Sequence, residues 1–431
     1  MIKRLYTLFK NSSGVSTDTR AIEEGNLFFA LKGPNFNGNK YGKQALKNGA
    51  IAVVLDEKQD DLEPSLSVIY VDNVLLALQR LATYHRSQIN GNIIGLTGSN
   101  GKTTTKELLF AILKRYRSET YCTTGNQNNH IGVPLTLLSI PLSAEFVIVE
   151  MGSNQPGDIE ELSDITNPDF GLITNIGKTH LEKLKSQEGV FIEKSSLYKK
   201  IKERKGTFFV NVGDPFLSQI EMKGAIGYST TQTSRYQINT DSKSLALSFE
   251  LKKGNDAFSI STNLFGNYNI ENVAAALTIS EYFEIPIETS IQAIEEYTPS
   301  NMRSQILRTE KDNIVVVDTY NSNPFSLKKS LEHFTEASGI VKYAIIGDML
   351  ELGESSKEEH VKVIKNVKSG VEYFFIGSYF YAYKHLGRLN TRFYKSNKEL
   401  IAEISKLNIK KSNVFVKGSR GLALEKVIPY L

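Results

Sequence analysis

Cysteine is almost missing from this chain of 431 residues, Cys122 being the only one. A lone thiol forms no intramolecular bridge, so the fold is held without disulfides, and a free thiol suits a reducing compartment. Long apolar runs are missing too. No stretch approaches the roughly 20 residues that span a bilayer, and the opening MIKRLYTLFK lacks the extended apolar segment of a signal peptide. These absences predict a cytoplasmic protein with no membrane span. Strong charge of one sign is also lacking. The formal net charge is +4, with Lys and Arg spread along the sequence, too mild to point to nucleic acid. The basic-aromatic stretch 379–395 reads instead as a solvated helix and an edge strand. There is no repeat and no low-complexity tract. What remains is the composition of an ordinary globular protein, 40% hydrophobic and 23% charged. Domains of roughly 100–200 residues would give two to four of them, with a monomer as the default state.

Strand and helix patterns divide the chain into blocks 1–88, 89–300 and 301–431. In the first, NLFFAL (26–31), AIAVVL (50–55) and SVIYV (67–71) read as short strands and about 74–88 as a helix. In the second, IIGLTG (93–98), FVIVEMG (146–152) and FGLITNIG (170–177) read as buried parallel strands alternating with helices. Within 225–265, SLALSFEL (244–251) and AFSISTNL (257–264) alternate and predict an antiparallel hairpin, with helices at about 268–283 and 287–297. The third block has four strand candidates, NIVVVDTY, YAIIGDM, YFFIG and NVFVKGS, each followed by a helical pattern. The predicted class is α/β: a central parallel sheet with a phosphate loop and a hairpin region, then a doubly wound domain. The segments at 298–302 and 87–92 are expected to act as hinges.

The sharpest chemical signal is TGSNGKTTTKE (97–107), between a strand and a helix. Gly98 and Gly101 let the backbone turn, and Ser99, Asn100 and the start of the helix offer N–H groups to phosphate oxygens. Lys102 is placed to reach the terminal phosphates, Thr103 to coordinate Mg²⁺, and Thr104 follows it. Leu96 stands where the longer eight-residue loop pattern has its first glycine, so the shorter GSNGKTT form applies. The loop points to ATP or GTP without fixing the reaction. Glu150 at the end of FVIVE, and His180 after a strand expected to end at Asn175, would face the carboxyl edge of the same sheet, as a Mg²⁺–phosphate site requires.

Together GSNGKTT, VEMG, NIGKTHL and GNYNIENVAAAL (266–277), in that order, resemble the Mur ligase family, and the resemblance extends through nearly the whole chain. It implies three domains and ATP-dependent amide-bond formation. By resemblance Thr103, Glu150 and His180 form the Mg²⁺ site, Asn269 and Asn272 meet adenine, and Arg303 and Asp318 meet ATP. Lys194, fourteen residues after His180, corresponds to a lysine that several members carbamylate to help bind a second Mg²⁺. Lys102, His180 and Lys194 are thus the catalytic candidates. STDTRAIEEGNLFFALKG (16–33) resembles a UDP-binding opening in which Ser16, Thr17, Asp18 and Arg20 meet the uridine diphosphate; FNGN (36–39) departs from the FDGH of many relatives. TGNQNNHIGVPLTLL (124–138), with Asn128 and Asn129, DTYNSNP (318–324), with Asn321 and Asn323, and GDMLELGE (347–354) are similar to members that add D-alanyl-D-alanine to UDP-N-acetylmuramoyl-tripeptide. Ser419 and Arg420 in KGSRG are candidates for holding the dipeptide. A folylpolyglutamate-type ligase shares the ATP machinery, but the amino-terminal block and YNSNP argue against it. Intact Lys102, Thr103, Glu150 and His180 argue against a non-catalytic nucleotide-binding scaffold.

Overall fold

A computed structural model describes the chain except residues 231–235, 242, 340 and 351. The hairpin region 225–265 and the segment 347–354 therefore each include positions outside the described residues. The chain forms two compact units. Met1–Thr97, Arg117–Leu172 and Glu193–Phe208 make the first; Gly98–Tyr116, Ile173–Ile192 and Phe209–Leu431 make the second.

The first unit holds a four-stranded parallel sheet in the order Val15–Ser16, Leu27–Phe29, Ala52–Leu55, Val68–Tyr70. Its inner strands are apolar without alternation because both faces are covered; Leu27, Phe28 and Phe29 are fully buried. The helix Val74–Arg86 follows, capped by the Asn73 side chain on Leu76 N–H. Its last residue is a fixed point. The buried guanidinium of Arg86 donates to the carbonyls of Thr166, Ile89 and Asn167 and pairs with Asp169 at 2.9 Å. A Cβ on Gly91 would stand 2.0 Å from the Ala144 carbonyl. The segment 87–92, expected to hinge, is thus packed and hydrogen-bonded at both ends. Next come the strands Thr120–Cys122, Phe146–Glu150, Asn92–Thr97 and Phe170–Ile173, side by side in that order. Register pairs Leu96 with Glu150, so Glu150 sits at the edge where the chain leaves the sheet for the glycine loop.

The second unit contains a nine-stranded sheet. Gln237–Thr240, Ala246–Lys253 and Asp256–Phe265 are antiparallel, and the last meets Gln305–Arg308 through the single pair Leu264–Gln305. Gln305–Arg308 runs antiparallel to Ile314–Asp318. Then Asn413–Lys417, Lys342–Gly347, Glu372–Ile376 and Thr391–Tyr394 follow in parallel. The expected hairpin is present, but it shares a sheet with the carboxyl-terminal strands instead of standing apart. One cross-strand pair between residues 41 positions apart carries no sequence pattern that would announce it. Alternation along the parallel strands feeds two cores. Val316, Ala344, Ile346 and Phe415 face one, and Val315, Val317, Ile345 and Val414 face the other. After Lys417 the chain forms 3₁₀ turns, Arg420–Leu422 and Leu424–Tyr430, in place of an α-helix. Pro429 inside the second has no N–H to continue an α-helical ladder.

Candidate active site

The strand Asn92–Thr97 delivers the chain into Gly98, with φ +150°, and Gly101, with φ +80°. Both positions have no space for a side chain. A Cβ on Gly98 would lie 1.8 Å from Thr174 Oγ1, and one on Gly101 2.3 Å from Asn272 Oδ1. Only glycine meets both demands. The loop is braced by the segment after the strand Phe170–Ile173. That strand ends two residues before the expected Asn175, which frees Thr174 and Asn175 to turn onto the loop. The Asn100 carbonyl accepts from Thr174 Oγ1 at 2.6 Å and Asn175 Nδ2 at 3.0 Å, while Asn100 N–H donates to Asn175 Oδ1 at 3.0 Å. Ser99 N–H donates to the Asn175 carbonyl, and Ser99 Oγ accepts from Gly177 N–H at 2.8 Å. The backbone donors of Ser99 and Asn100, which the sequence assigned to phosphate, are therefore committed to Asn175. Donors for an anion are left to the N-terminal turn of the helix Lys102–Tyr116, whose dipole also favours negative charge there. Lys102 Nζ lies over the same loop, 2.7 Å from the Gly98 carbonyl. Thr103 and Thr104 are buried in this first turn.

Asn272 and Asn269, expected at adenine, form a relay behind the loop. Thr105 Oγ1 donates to Asn272 Oδ1 at 3.0 Å, Asn272 Nδ2 to Asn269 Oδ1 at 2.8 Å, and Asn269 Nδ2 to the Phe265 carbonyl at 2.8 Å. Both are buried, and the bonds they make tie the phosphate-loop helix to the helix Ile270–Tyr282. Beside them the Tyr268 hydroxyl sits 3.1 Å from Ser304 Oγ, and burial, then the charge of Asp318, holds its proton on well above the usual phenol range.

The carboxyl-terminal motif residues gather in the same unit. Arg303 lies between Met302 and Ser304, both at positive φ, and its guanidinium stacks 3.8 Å above the Tyr320 ring centroid. Asp318 pairs with the buried Lys417 at 2.5 Å, and Lys417 also donates to the Asn321 carbonyl. Lys417 was not singled out in the sequence, although it opens the KGSRG segment; its signal was a basic residue at the end of a buried strand. Asn323 caps the helix Pro324–Glu336 through Ser326 and donates from Nδ2 to Asn100 Oδ1 at 2.9 Å. Ser419 Oγ accepts from Leu350 N–H, and Arg420, largely exposed, reaches Glu425 and the Met302 sulfur. His180 has φ +51° at the start of the short helix Leu181–Leu184.

The remaining candidates belong to the first unit. Glu150 is buried and accepts from Asn128 Nδ2 at 2.9 Å. Asn129 Oδ1 accepts from Ile131 and Gly132 N–H just ahead of and at the start of the helix Gly132–Leu138. Lys194, in the helix Gln187–Glu203, is buried with Nζ 3.2 Å from Ser153 Oγ. Ser16 Oγ and Asp18 exchange bonds, and Asp18 grips Arg20 through both carboxylate oxygens, which lowers its pKa to about 2. The backbone of Thr17 lies between them. Among the described residues, no three of His, Cys, Asp and Glu cluster as a metal site. Mg²⁺ draws few ligands from protein and keeps water and phosphate oxygens; taken separately, the hydroxyl of Thr103 in the second unit and the carboxylate of Glu150 in the first are each the kind of hard oxygen donor it takes.

A buried parallel strand, a glycine loop with no room for side chains, and a lysine and hydroxyls opening the next helix define a P-loop nucleotide-binding protein. Comparison with known proteins is more specific. Family models match residues 11–86 (Mur ligase family, catalytic domain), 96–280 (Mur ligase middle domain) and 302–420 (Mur ligase, glutamate ligase domain). The UDP-N-acetylmuramoyl-tripeptide–D-alanyl-D-alanine ligase of Bacillus subtilis (strain 168) is 33% identical over 96% of this chain and 92% of its own length. The protein of that name from Escherichia coli (strain K12) is 28% identical over 96% and 92%. The crystal structure of MurF from Acinetobacter baumannii superposes with a TM-score of 0.87 at 26% identity, covering 99% of this chain and 97% of that one. The chain belongs to the Mur ligase family.

Proposed function

We propose that this chain is an ATP-dependent ligase that joins D-alanyl-D-alanine to UDP-N-acetylmuramoyl-tripeptide, giving the pentapeptide, ADP and phosphate in peptidoglycan synthesis. Full-length similarity to ligases named for this reaction supports the substrates. The observation that carries the chemistry is the loop 98–104, with Lys102 lying over a main chain that only glycine can follow.

Amide formation from a carboxylate and an amine is uphill in water, so the acid must first be activated. The tripeptide carboxylate oxygen attacks the γ-phosphorus of ATP, the bond to the β-phosphate oxygen breaks, and ADP leaves. The amine of the dipeptide then attacks the acyl carbon, phosphate departs with the C–O electron pair, and the amine loses a proton. Lys102 and the first-turn N–H groups offset charge on the transferring phosphoryl group. Mg²⁺, when bound, supplies further charge neutralisation at the phosphates. Thr103, Glu150, His180 and Lys194 are the residues proposed to hold it, Lys194 as a carbamate whose oxygens replace an ammonium. Ser16, Thr17, Asp18 and Arg20 are proposed for the uridine diphosphate, and Arg303 and Asp318 for ATP. The asparagines 128, 129, 321 and 323 with Ser419 and Arg420 are proposed to shape the dipeptide side. Asn269 and Asn272 act in this reading at the loop as well as toward adenine.

The proposed division is 1–88 for the UDP substrate, 89–300 for ATP and 301–431 for ATP and the dipeptide, in a cytoplasmic monomer. Among the described residues, no helix is long and apolar enough to cross a membrane. The test is phosphate release by purified protein with ATP, D-alanyl-D-alanine and the tripeptide ending in L-lysine or in meso-diaminopimelate, with the product weighed by mass spectrometry. Release that needs both acceptor substrates is expected. Release without them, or with folate and glutamate in their place, would overturn the assignment.

A further inference from the structure

The hydrogen bond from Asn323 to Asn100 links the segment matched to the glutamate ligase domain with the phosphate loop. Neither partner is free to choose its orientation. Asn323 Oδ1 is held at 2.8 Å by Ser326 N–H, and Asn323 N–H returns to Ser326 Oγ, a reciprocal cap. With Oδ1 fixed, Nδ2 is the only amide atom Asn323 can turn toward the loop. On the other side, three bonds to Thr174 and Asn175 hold the Asn100 main chain.

An asparagine amide can flip by half a turn, exchanging donor and acceptor. Because Asn323 donates, Asn100 must present Oδ1 to it and turn Nδ2 the other way. Asn100 Nδ2 is buried and has no hydrogen-bond partner among the described residues. A Cβ on Gly177 would stand 3.3 Å from it, so glycine at 177 keeps its surroundings clear. A buried donor left over in a phosphate loop has an obvious complement, an anionic oxygen.

We propose that Asn323 is a positioning residue that sets the Asn100 amide so that Nδ2 donates to an anionic oxygen of the nucleotide or of the phosphoryl group in transit. Docking of the carboxyl-terminal segment thereby arms the phosphate loop. This rests on the ligase reading above for its kinetic arm, but not for its binding arm.

Three variants separate this role from a structural one. Asparagine, aspartate and serine all cap helices well, so Asn323→Asp and Asn323→Ser should both melt with the wild type. They differ at Asn100. Serine removes the donor and leaves the Asn100 amide unforced. Aspartate presents an acceptor, which flips the amide and turns Oδ1 toward the substrate anion. Asn323→Asp is expected to weaken binding of a non-hydrolysable ATP analogue and to lower kcat by about tenfold to a hundredfold, the range of one charge-assisted hydrogen bond. Asn323→Ser should cost less than about fivefold, the scale of one neutral hydrogen bond. In an Asn100→Ala background, Asn323→Asp should have no further effect, since its target is gone. Equal losses for aspartate and serine, or losses that add to that of Asn100→Ala, would overturn the proposal. A wild type that binds the analogue but makes no pentapeptide would count against the ligase reading alone, because the affinity comparison still decides this one.

Discussion

Arg303 lies flat against Tyr320, its guanidinium carbon 3.8 Å from the ring centroid. Arg303 precedes the strand Gln305–Arg308 and Tyr320 follows its antiparallel partner Ile314–Asp318, so the two stand at the same end of the pair, and Tyr320 N–H also reaches the Met302 carbonyl. Stacking is available to a planar guanidinium in a way it is not to an ammonium. Arg303→Lys should therefore raise the KM for ATP several-fold although charge is kept. Tyr320→Phe should be near neutral, and Tyr320→Leu should resemble Arg303→Lys, each losing about 0.5–2 kcal/mol of stacking. Steady-state kinetics with ATP varied checks the order; a harmless Tyr320→Leu would sever the link.

Lys102 sits over the loop it is meant to serve, bonded to the Gly98 carbonyl. Lys102→Ala should lower turnover by about a hundredfold to a thousandfold, as for other preorganised charge-stabilising groups, with the circular dichroism spectrum and melting curve unchanged. Ligation retained at a tenth of the wild-type rate would remove Lys102 from the phosphate role.

The Asp318–Lys417 pair has side chains only 14% and 2% exposed. Lys417→Met strands a buried carboxylate, and such breaks cost about 3–5 kcal/mol. Asp318→Asn with Lys417→Met together should cost less than Lys417→Met alone. Urea unfolding of these two variants and of Asp318→Asn alone gives the comparison, and additive losses would mean that the two groups do not sense each other.

Burial lowers the pKa of His85, His333 and His360. In the unfolded chain each titrates near about 6.5. Below that pH the unfolded chain binds protons that the folded chain resists, so stability must fall as pH drops through about 6.5 and level off above it. Asp348, raised by burial, acts with the opposite sign, its effect setting in as pH rises through about 4. Melting temperature is expected to climb between pH 5.5 and 7.5. His333→Gln should flatten that climb; an unchanged slope would exclude His333 as a contributor.

The main strand segments and the position of the phosphate loop were legible because they rest on local signals: apolar runs, glycines, and a helix that begins at Lys102 as the pattern requires. What local pattern cannot carry is which distant groups meet. Nothing in the sequence marks Thr174 and Asn175 as braces for residue 100, or Leu264 as the partner of Gln305. The contacts around 87–92, expected to act as a hinge, are of the same distant kind. Arg86, just before it, is held by Thr166 and Asp169, and Gly91 within it lies against the Ala144 carbonyl. Asn269 and Asn272 were singled out by resemblance, but their bonds to one another depend on a helix packing that only the structure displays.

The two glycines of the loop bear on drug resistance. A compound lodged against Gly98 and Gly101 would touch backbone at positions where any larger residue collides with Thr174 or Asn272. That surface could not be reshaped by a single replacement without distorting the loop itself, so escape would have to arise elsewhere in the chain.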